Sequence, residues 1–275
     1  MHLLGIREPR WEIIHTMEAL THYTFSHSNI LGNGADGQVV SAQTLQGCDV
    51  AIKFLSIESE ISRELFQAEA HFSRVLSRSV GLPVHDVVIT PDLTGAIVYD
   101  RAQGDLLDLL EGTPEGHFSV PAAASLFKEL CVLVKRMHAR QIAHLDLKPE
   151  NVLIDTKGRL RLCDFARAHQ WTSSPRQYDG IFSCVATKEY SSPERFFDQD
   201  FDVAAADIFS LGVTLHVLLT GCYPKSDAPL DMSFIKGIDR SCLQLVSWML
   251  HEDPCARPSI KQVLSHSWLS TKHVN

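Results

Sequence analysis

A polar run of eight residues, His144 to Asn151, restricts the fold of this chain more than any other feature. It follows a long apolar pattern with helical spacing and precedes two short strand-like segments, 152–155 and 160–163. The triplet Asp164, Phe165, Ala166 comes directly after the second segment. The sequence therefore predicts a helix that leads into a polar loop, followed by two strands and a second, acidic loop.

Four side chains of these two loops have complementary chemistry. Asp146 is a carboxylate that can orient a hydroxyl group, and Lys148 is a cation. Asn151 and Asp164 lie thirteen residues apart and offer oxygen ligands to a metal ion. Because a loose phosphoryl transition state needs such groups at fixed separations, the pattern predicts phosphoryl transfer with magnesium.

The composition narrows the class of protein. With 275 residues, 45% of them hydrophobic, the chain can build one large or two small cores. The net charge of −8 and the dispersed basic residues disfavour nucleic acids and anionic membranes as partners. Seven cysteines without a CxxC pattern indicate reduced thiols, and we find neither a signal peptide pattern nor a run of about 18 apolar residues. We therefore expect a soluble monomer in the cytoplasm or nucleus.

The first hundred residues carry strand patterns with one helix among them. Short β-branched segments separated by Gly, Pro or Asp predict strands at 29–31, 39–42, 49–55, 84–89 and 96–100. Between residues 61 and 76, apolar residues recur at intervals of three and four, which predicts an amphipathic helix packed on the sheet, with Glu69 on its inner face. The apolar positions of this helix are Ile61, Leu65, Ala68, Phe72, Val75 and Leu76.

From about Asp105 the periodicity becomes helical, which indicates a second lobe. Helices are expected after Pro121, where a first turn accepts proline, and at 207–219, 241–250 and 259–264. We expect an α+β fold with two lobes. The predicted division is an N-terminal extension at 1–21, a β-rich lobe at 22–102, a mainly helical lobe at 103–270 and a C-terminal tail at 271–275.

The glycines between Leu31 and Val39 lie between two strand patterns, at a hairpin tip where backbone N–H groups can approach phosphate oxygens. The same GxGxxG spacing occurs in dinucleotide-binding folds, but those require a helix after the third glycine, and residues 38–40 favour a strand. Thirteen residues after Gly37 begins the strand pattern Val50 to Lys53, which ends in a lysine. These features together favour a phosphate-binding hairpin.

In this order, the motifs resemble those of eukaryotic protein kinases, over about Tyr23 to Leu269. The resemblance implies a bilobal kinase fold that uses ATP and Mg²⁺ to modify protein substrates. It implies that Asp146 accepts the proton of the substrate hydroxyl and that Lys148 neutralises the γ-phosphate. Asn151 and Asp164 are the implied metal ligands. The implied ATP-binding residues are Leu31, Gly32, Gly34, Gly37, Val39, Ala51, Lys53, Glu69, Asp100, Ala102 and Leu153.

Lys53 resembles the kinase lysine that holds the α- and β-phosphates, and a helix glutamate steadies that lysine in the family. Glu69 is the expected partner. Glu64 is the alternative, although the apolar periodicity around Glu69 fits the family helix better.

The segment Thr187 to Glu194 is similar to the end of a kinase activation segment, and Ser183 and Thr187 are the candidate residues for activation or substrate contact. Arg257 is the implied buried partner of Glu194. Residues 207–212 complete the family pattern, with phenylalanine at a position where tryptophan is usual.

Three further departures from the family pattern bear on function. Leu145 replaces an arginine that in many kinases clamps a phosphorylated activation segment, so a phosphate at Ser183 or Thr187 has less to order it. Ala166 replaces a glycine, and a state that needs a positive φ there is penalised by roughly 1–2 kcal/mol. Ser73 replaces a packing hydrophobe, which predicts a less stable helix.

The leading interpretation is an ATP-dependent kinase that modifies Ser or Thr hydroxyls of proteins, because Lys148 and Thr187 resemble that class. Wee-like or Myt-like kinases that act on Tyr or Thr remain an alternative, since the Wee-like group shares the lysine. A pseudokinase scaffold is the non-enzymatic alternative, motivated by the three departures. A small-molecule phosphotransferase leaves the segment 187–194 without a role.

Overall fold

The computed structural model of the protein describes residues 17–34, 37–172, 187–197, 201–225, 230, 232, 235 and 237–270. The chain divides into two units, and the predicted α+β class is confirmed, because strands dominate the first unit and helices the second. The first unit is Met1–Gln103 with Asp155–Arg167, and the second is Gly104–Ile154 with Ala168–Asn275.

The segment Asp155–Arg167 belongs to the first unit. The division predicted from the sequence, between residues 102 and 103, places this segment in the helical lobe instead. Backbone pairing accounts for this difference, since the amide of Leu162 donates to the carbonyl oxygen of Val80 at 3.0 Å. Such pairing joins stretches that are distant in sequence, and no periodicity within either stretch reveals it.

The first unit is built on a five-stranded antiparallel sheet in the order β1-β2-β3-β5-β4. Inward-facing aliphatic residues of its strands form a core that includes Val40, Ile52 and Val98. The strands are β1 (Tyr23–Gly34), β2 (Gly37–Thr44), β3 (Asp49–Ser56), β4 (Val84–Ile89) and β5 (Thr94–Asp100). All five predicted strands are therefore confirmed, although β1 begins six residues before its predicted start at residue 29.

Gly37 begins β2 in a backbone conformation that side chains rarely adopt, with φ of 153°. A Cβ atom added at this position lies 2.0 Å from the carbonyl oxygen of Phe54, whereas one added at Gly34, its partner across the hairpin, meets open space. The sheet therefore requires glycine at residue 37 and tolerates a side chain at residue 34.

We expect Gly37→Ala to lower the free energy of unfolding by about 1–3 kcal/mol from the backbone conformation alone, with a further loss from the contact with β3. The matched variant Gly34→Ala is expected to stay within about 0.5 kcal/mol of the parent protein. Urea unfolding followed by circular dichroism measures both. Equal stability of the two variants contradicts this assignment.

The predicted helix at 61–76 is confirmed as α1 (Glu60–Leu76). Its first turn is closed by two serines, because Ser59 Oγ accepts a hydrogen bond from the Ser62 amide and Ser62 Oγ accepts one from the Ser59 amide, both at 3.0 Å. The capping serines fix the start of the helix and thereby the angle at which each side chain faces the sheet.

The predicted inner face of α1 is wrong in part. Ile61 and Val75 are 56% and 44% exposed, although both belong to the predicted apolar stripe. The residues that are buried are Phe66, Glu69, Ala70, Phe72, Ser73 and Leu76. These residues also recur at intervals of three and four, but two of them are polar, so a count of apolar positions favours a neighbouring face. Glu69 lies on the inner face as predicted.

The second unit is a helical assembly around α5 (Val203–Thr220), which confirms the predicted helix at 207–219. Asp202 caps its start, where its Oδ1 accepts hydrogen bonds from the amides of Ala204 and Ala205, both at 2.9 Å. Gly221, with φ of 69°, ends the helix in the left-handed conformation. The other helices are α2 (Leu106–Glu111), α3 (Val120–His138), α4 (Glu194–Phe197), α6 (Arg240–Met249), α7 (Ile260–Ser265) and α8 (Ser267–Ser270).

Within the part of the chain that the structure describes, α5 is the one helix long and apolar enough to cross a membrane by length and composition. Most of it, 89%, is buried inside the protein. This burial is what a central core helix requires, since a helix that is apolar all round must be covered on every side.

Short strands hold the loops of both units. In the second unit, β6 (Gly104–Asp105) pairs with β8 (Val152–Ile154), and β7 (Ile142–Ala143) pairs with β10 (His169–Gln170). In the first unit, β9 (Leu160–Leu162) leads into the triplet Asp164, Phe165, Ala166. The polar run 144–151 therefore begins directly after β7 and ends directly before β8.

Candidate active site

Three charged side chains meet in the first unit. Lys53 Nζ on β3 lies 2.9 Å from Asp164 Oδ1 and 3.4 Å from Glu69 Oε1 on α1. The structure thus places Glu69, rather than Glu64, beside the lysine. The sequence predicted all three residues but not which carboxylate lies closer to Lys53. In the structure, Asp164 is the nearer partner of Lys53.

The charge of Lys53 depends on both carboxylates. Burial lowers the pKa of the ammonium group, but Glu69 and Asp164 raise it, and the net pKa lies above its usual value. Burial also raises the pKa of Glu69 above its usual value, against the opposite effect of Lys53. Lys53 is therefore held protonated between the two carboxylates.

The backbone turns sharply at Asp164, which has φ of 61°. Ala166 is not among the described non-glycine residues with positive φ, so alanine causes no backbone strain in this conformation. Phe165 and Ala166 are both buried, with 1% exposure each, whereas the Asp164 side chain is 21% exposed. The triplet therefore packs its two apolar members inside and presents a carboxylate.

In the second unit, the Asp146 side chain is held by groups on both of its oxygens. Oδ1 accepts a hydrogen bond from the Thr187 hydroxyl at 3.2 Å, and Oδ2 accepts one from Asn151 Nδ2 at 3.1 Å. Lys148 Nζ lies 2.7 Å from the Thr187 hydroxyl oxygen and 3.5 Å from Asp146 Oδ2. Four of the predicted site residues are thus brought together around one carboxylate that is only 5% exposed.

The orientation of Asn151 bears on its predicted role as a metal ligand. Its Nδ2 also donates to the main-chain oxygen of Asp146 at 2.7 Å, which leaves the amide oxygen as the atom that can bind a cation. Asp164 offers a carboxylate in the first unit. Amide and carboxylate oxygens are hard ligands of the kind that Mg²⁺ prefers, so the chemistry of each residue suits the implied ion.

Asp207 orders the backbone before Asp146, a role that sequence reasoning missed. Its carboxylate accepts hydrogen bonds from the amides of His144 and Leu145 at 2.9 and 2.8 Å, and His138 Nε2 lies 2.9 Å away. Burial raises its pKa, but these hydrogen bonds lower it, and the net pKa is below its usual value. A single acidic residue in an otherwise apolar helix is the sequence signal that could have predicted a buried partner.

Leu145 packs its side chain into an apolar cluster, where the family arginine would have been charged. It is 1% exposed and has φ of 63°, and its carbonyl oxygen accepts a hydrogen bond from Arg195 at 2.6 Å. The cluster around it consists of Ala143, Trp171, Phe201, Val203, Ala204 and Ala206. Leu145 therefore contributes packing at this position rather than a cation.

Glu194 and Arg257 form the predicted buried ion pair. Nη1 and Nη2 of the arginine donate to the two carboxylate oxygens at 2.6 and 2.8 Å. The guanidinium also lies 4.9 Å from the ring centroid of Phe209. Its remaining hydrogen bonds go to the carbonyl oxygens of His251, Ala205 and Glu252. Each nitrogen of the guanidinium group thus donates to a hydrogen-bond acceptor inside the second unit.

The predicted ATP-binding residues lie mostly on the sheet of the first unit. Leu31, Gly32 and Gly34 are on β1, Gly37 and Val39 on β2, and Ala51 and Lys53 on β3. Gly32 pairs with Val39, and Val39 pairs with Lys53.

Two more of these residues, Asp100 and Ala102, line a cavity of about 470 Å³ in the same unit, together with Asp49, Arg101, Gln103 and Thr156. Leu153 lies on β8 in the second unit. Ser183 lies outside the described residues, as do residues 1–16 of the predicted extension and the tail at 271–275.

Comparison with known proteins extends these observations. Serine/threonine-protein kinase SRK2J of Arabidopsis thaliana is 30% identical over 241 residues, which cover 80% of this chain and 68% of that protein. Serine/threonine-protein kinase SAPK7 of Oryza sativa subsp. japonica is 31% identical over 80% of this chain and 64% of that protein. CBL-interacting serine/threonine-protein kinase 17 of Arabidopsis thaliana is 29% identical, over 86% and 58% respectively.

The chain thus spans between 58% and 68% of the length of these relatives. The family model of the protein kinase domain matches residues 25–269, nearly all of the chain. This match confirms the resemblance that the motifs carry in the sequence. The chain belongs to the protein kinase domain family.

Proposed function

We propose that this chain is an ATP-dependent protein kinase that transfers the γ-phosphoryl group to Ser or Thr hydroxyls of proteins. The observation that carries the proposal is the hydrogen-bonded group of Asp146, Lys148 and Thr187. The family uses ATP and magnesium, and the names of the relatives state a serine/threonine acceptor.

Asp146 orients the hydroxyl of the substrate and accepts its proton. The Thr187 hydroxyl has a single hydrogen, which it donates to Asp146 Oδ1, while its oxygen accepts from Lys148. Thr187 therefore fixes the rotamer of the carboxylate and the position of the lysine ammonium at once. Lys148, so placed, neutralises charge on the transferred group.

Lys53 binds the phosphates of ATP, and Glu69 and Asp164 hold its ammonium group in place. The amide oxygen of Asn151 and the carboxylate of Asp164 would each offer an oxygen ligand to magnesium. Magnesium, when bound, neutralises the crowded phosphate oxygens. One set of residues thus orients the substrate hydroxyl, and the other holds ATP.

Thr187 gives a test of this arrangement. We expect Thr187→Val, which keeps the shape of the side chain but removes its hydroxyl, to lower kcat by about 10- to 100-fold, because hydrogen bonds to two charged groups are lost. Thr187→Ser keeps the hydroxyl and is expected to retain most of the activity. Initial rates with a peptide substrate and saturating ATP measure both, and equal rates for the Val and Ser variants contradict the role.

The acceptor class is tested by a peptide array that scores Ser, Thr and Tyr phosphorylation separately with Mg-ATP. The proposal expects phosphate on Ser and Thr peptides and none on Tyr peptides. Phosphorylation of Tyr peptides favours the Wee-like alternative. No transfer to any peptide or to a generic basic protein, together with ATP-independent binding of a partner protein, favours the scaffold.

A further inference from the structure

Glu69 has two hydrogen-bonding neighbours that the Lys53 pair does not account for. Tyr99, on β5, donates its hydroxyl hydrogen to Glu69 Oε1 at 2.8 Å. Ser73 Oγ, one turn along α1, lies 3.0 Å from the Tyr99 hydroxyl oxygen and 3.4 Å from Glu69 Oε1. Glu69 and Ser73 are each 1% exposed, so these contacts are shielded from water.

The direction of these hydrogen bonds follows from the number of hydrogens. The Tyr99 hydroxyl has one hydrogen, and Glu69 accepts it because a carboxylate can only accept. The hydrogen between Ser73 and Tyr99 therefore comes from Ser73, whose contact with Tyr99, at 3.0 Å, is shorter than its contact with Glu69 Oε1, at 3.4 Å. A chain of two hydroxyl groups thus runs from Ser73 through Tyr99 and ends on the same carboxylate oxygen that faces Lys53.

The distances rank the contacts of Glu69. Its separation from Lys53 Nζ, 3.4 Å, exceeds the range of about 2.7–2.9 Å typical of a charge-assisted hydrogen bond, whereas the Tyr99 bond is 2.8 Å long. Lys53 is 2.9 Å from Asp164, so the lysine is shared between two carboxylates. The other oxygen of Glu69, Oε2, is buried and has no hydrogen-bond partner among the described residues.

The attachment of Tyr99 makes it a firm anchor. In the sheet, Tyr99 pairs with Ala51 on β3. Ala51 is two residues before Lys53 on that strand. A tyrosine side chain has two rotatable bonds, whereas the lysine has a flexible four-carbon stem. The hydroxyl of Tyr99 therefore ties the Glu69 carboxylate to the same strand pair that positions Lys53.

We propose that Tyr99, supported by Ser73, is a positioning residue that holds Glu69 in place for Lys53 by a hydroxyl hydrogen-bond chain. Ser73 is thus part of a polar contact rather than a missing apolar one. This inference rests on the proposed kinase function, since Lys53 is the residue through which Tyr99 acts. The proposed role of Tyr99 requires no contact with substrate.

The experiment uses Tyr99→Phe, which removes only the hydroxyl. We expect kcat to fall by about 10-fold, because a hydrogen bond to a buried charged group is lost, while KM for ATP changes by less than about threefold. The matched control is Tyr23→Phe, since Tyr23 also donates its hydroxyl to a carboxylate, Asp86, on the same sheet. The control is expected to leave kcat and KM unchanged.

A double-variant cycle separates positioning from general destabilisation. If Tyr99 acts through Glu69, Tyr99→Phe causes no further loss of kcat in a Glu69→Gln background, whereas an effect on packing alone persists there. A parental kcat in Tyr99→Phe, or an equal loss in both backgrounds, overturns the proposal.

A crystal structure of Tyr99→Phe provides a readout that does not depend on activity. We expect the Lys53–Glu69 separation to lengthen beyond about 4 Å, the limit of an ion pair. An unchanged separation of 3.4 Å overturns the proposal even if the protein transfers no phosphate. Absence of transfer by the parent protein, with a lengthened separation in the variant, instead counts against the kinase function and supports the role of Tyr99.

Discussion

Asp146→Asn is expected to lower the rate of phosphoryl transfer by about 10²- to 10⁴-fold, the range typical of the loss of a general base. Asparagine has nearly the shape of aspartate, but its amide nitrogen accepts no proton. It also presents hydrogens to one of the two donors, Thr187 or Asn151, that now face the carboxylate. Initial rates at saturating ATP and peptide measure the change.

The binding of ATP is expected to remain near the parental level in Asp146→Asn, because Lys53, the proposed phosphate-binding residue, is held by Glu69 and Asp164. Isothermal titration with Mg-ATP checks this expectation. Asp92→Asn, a change at an exposed turn, is the control and is expected to have parental activity. A parental rate in Asp146→Asn contradicts the assignment of the acceptor carboxylate.

Arg257→Ala is expected to lower the free energy of unfolding by about 3–5 kcal/mol. The substitution leaves the Glu194 carboxylate buried, at 7% exposure, without the two hydrogen bonds that now satisfy it. It also removes the cation from the face of the Phe209 ring. Urea unfolding monitored by tryptophan fluorescence gives the change in the free energy of unfolding.

The double variant Glu194→Gln/Arg257→Met tests whether the loss comes from an unpaired charge. We expect it to be more stable than Arg257→Ala, because no buried charge remains and the methionine fills part of the space. If Arg257→Ala lies within about 1 kcal/mol of the parent protein, the pair is of the weak, solvent-screened kind and the account of its burial is wrong.

Local patterns predicted most of the elements. The strands at 49–56 and 84–89 and the helix at 60–76 appear within one residue of their predicted bounds, because β-branched runs and helical spacing are properties of neighbouring residues. The polar run 144–151 was also placed correctly between α3 and β8, although the short strand β7 comes between α3 and the run. Its residue types are dictated by chemistry, so the sequence shows them directly.

Contacts between distant residues were harder to predict. The inner face of α1 was misjudged in part because the polar Ser73 occupies it, and its burial depends on Tyr99, which comes from another element. A polar residue in a periodic pattern predicts exposure unless its partner is known. The early start of β1 was missed because most of its residues are exposed, and burial alternates only over the first four residues, 23–26.

The role of Asp207 was missed although the residue was noticed. Its three hydrogen-bond partners lie more than sixty positions away in sequence, and two of them are backbone amides, which carry no sequence signal. Arg195 is a similar case, because it donates to the backbone oxygen of Leu145. Sequence reasoning finds side chains that do chemistry more readily than side chains that hold a loop in place.

Kinase activity is tested by the initial rate of γ-phosphoryl transfer from Mg-ATP to a Ser/Thr peptide, measured side by side for the parent protein and Asp164→Ala. Asp164 contacts Lys53 and is a proposed magnesium ligand. We expect transfer by the parent protein and a fall of about 100-fold or more in the variant, since a bound metal contributes several kcal/mol to stabilising the transition state. No transfer by the parent protein, or an equal rate in the variant, contradicts the account.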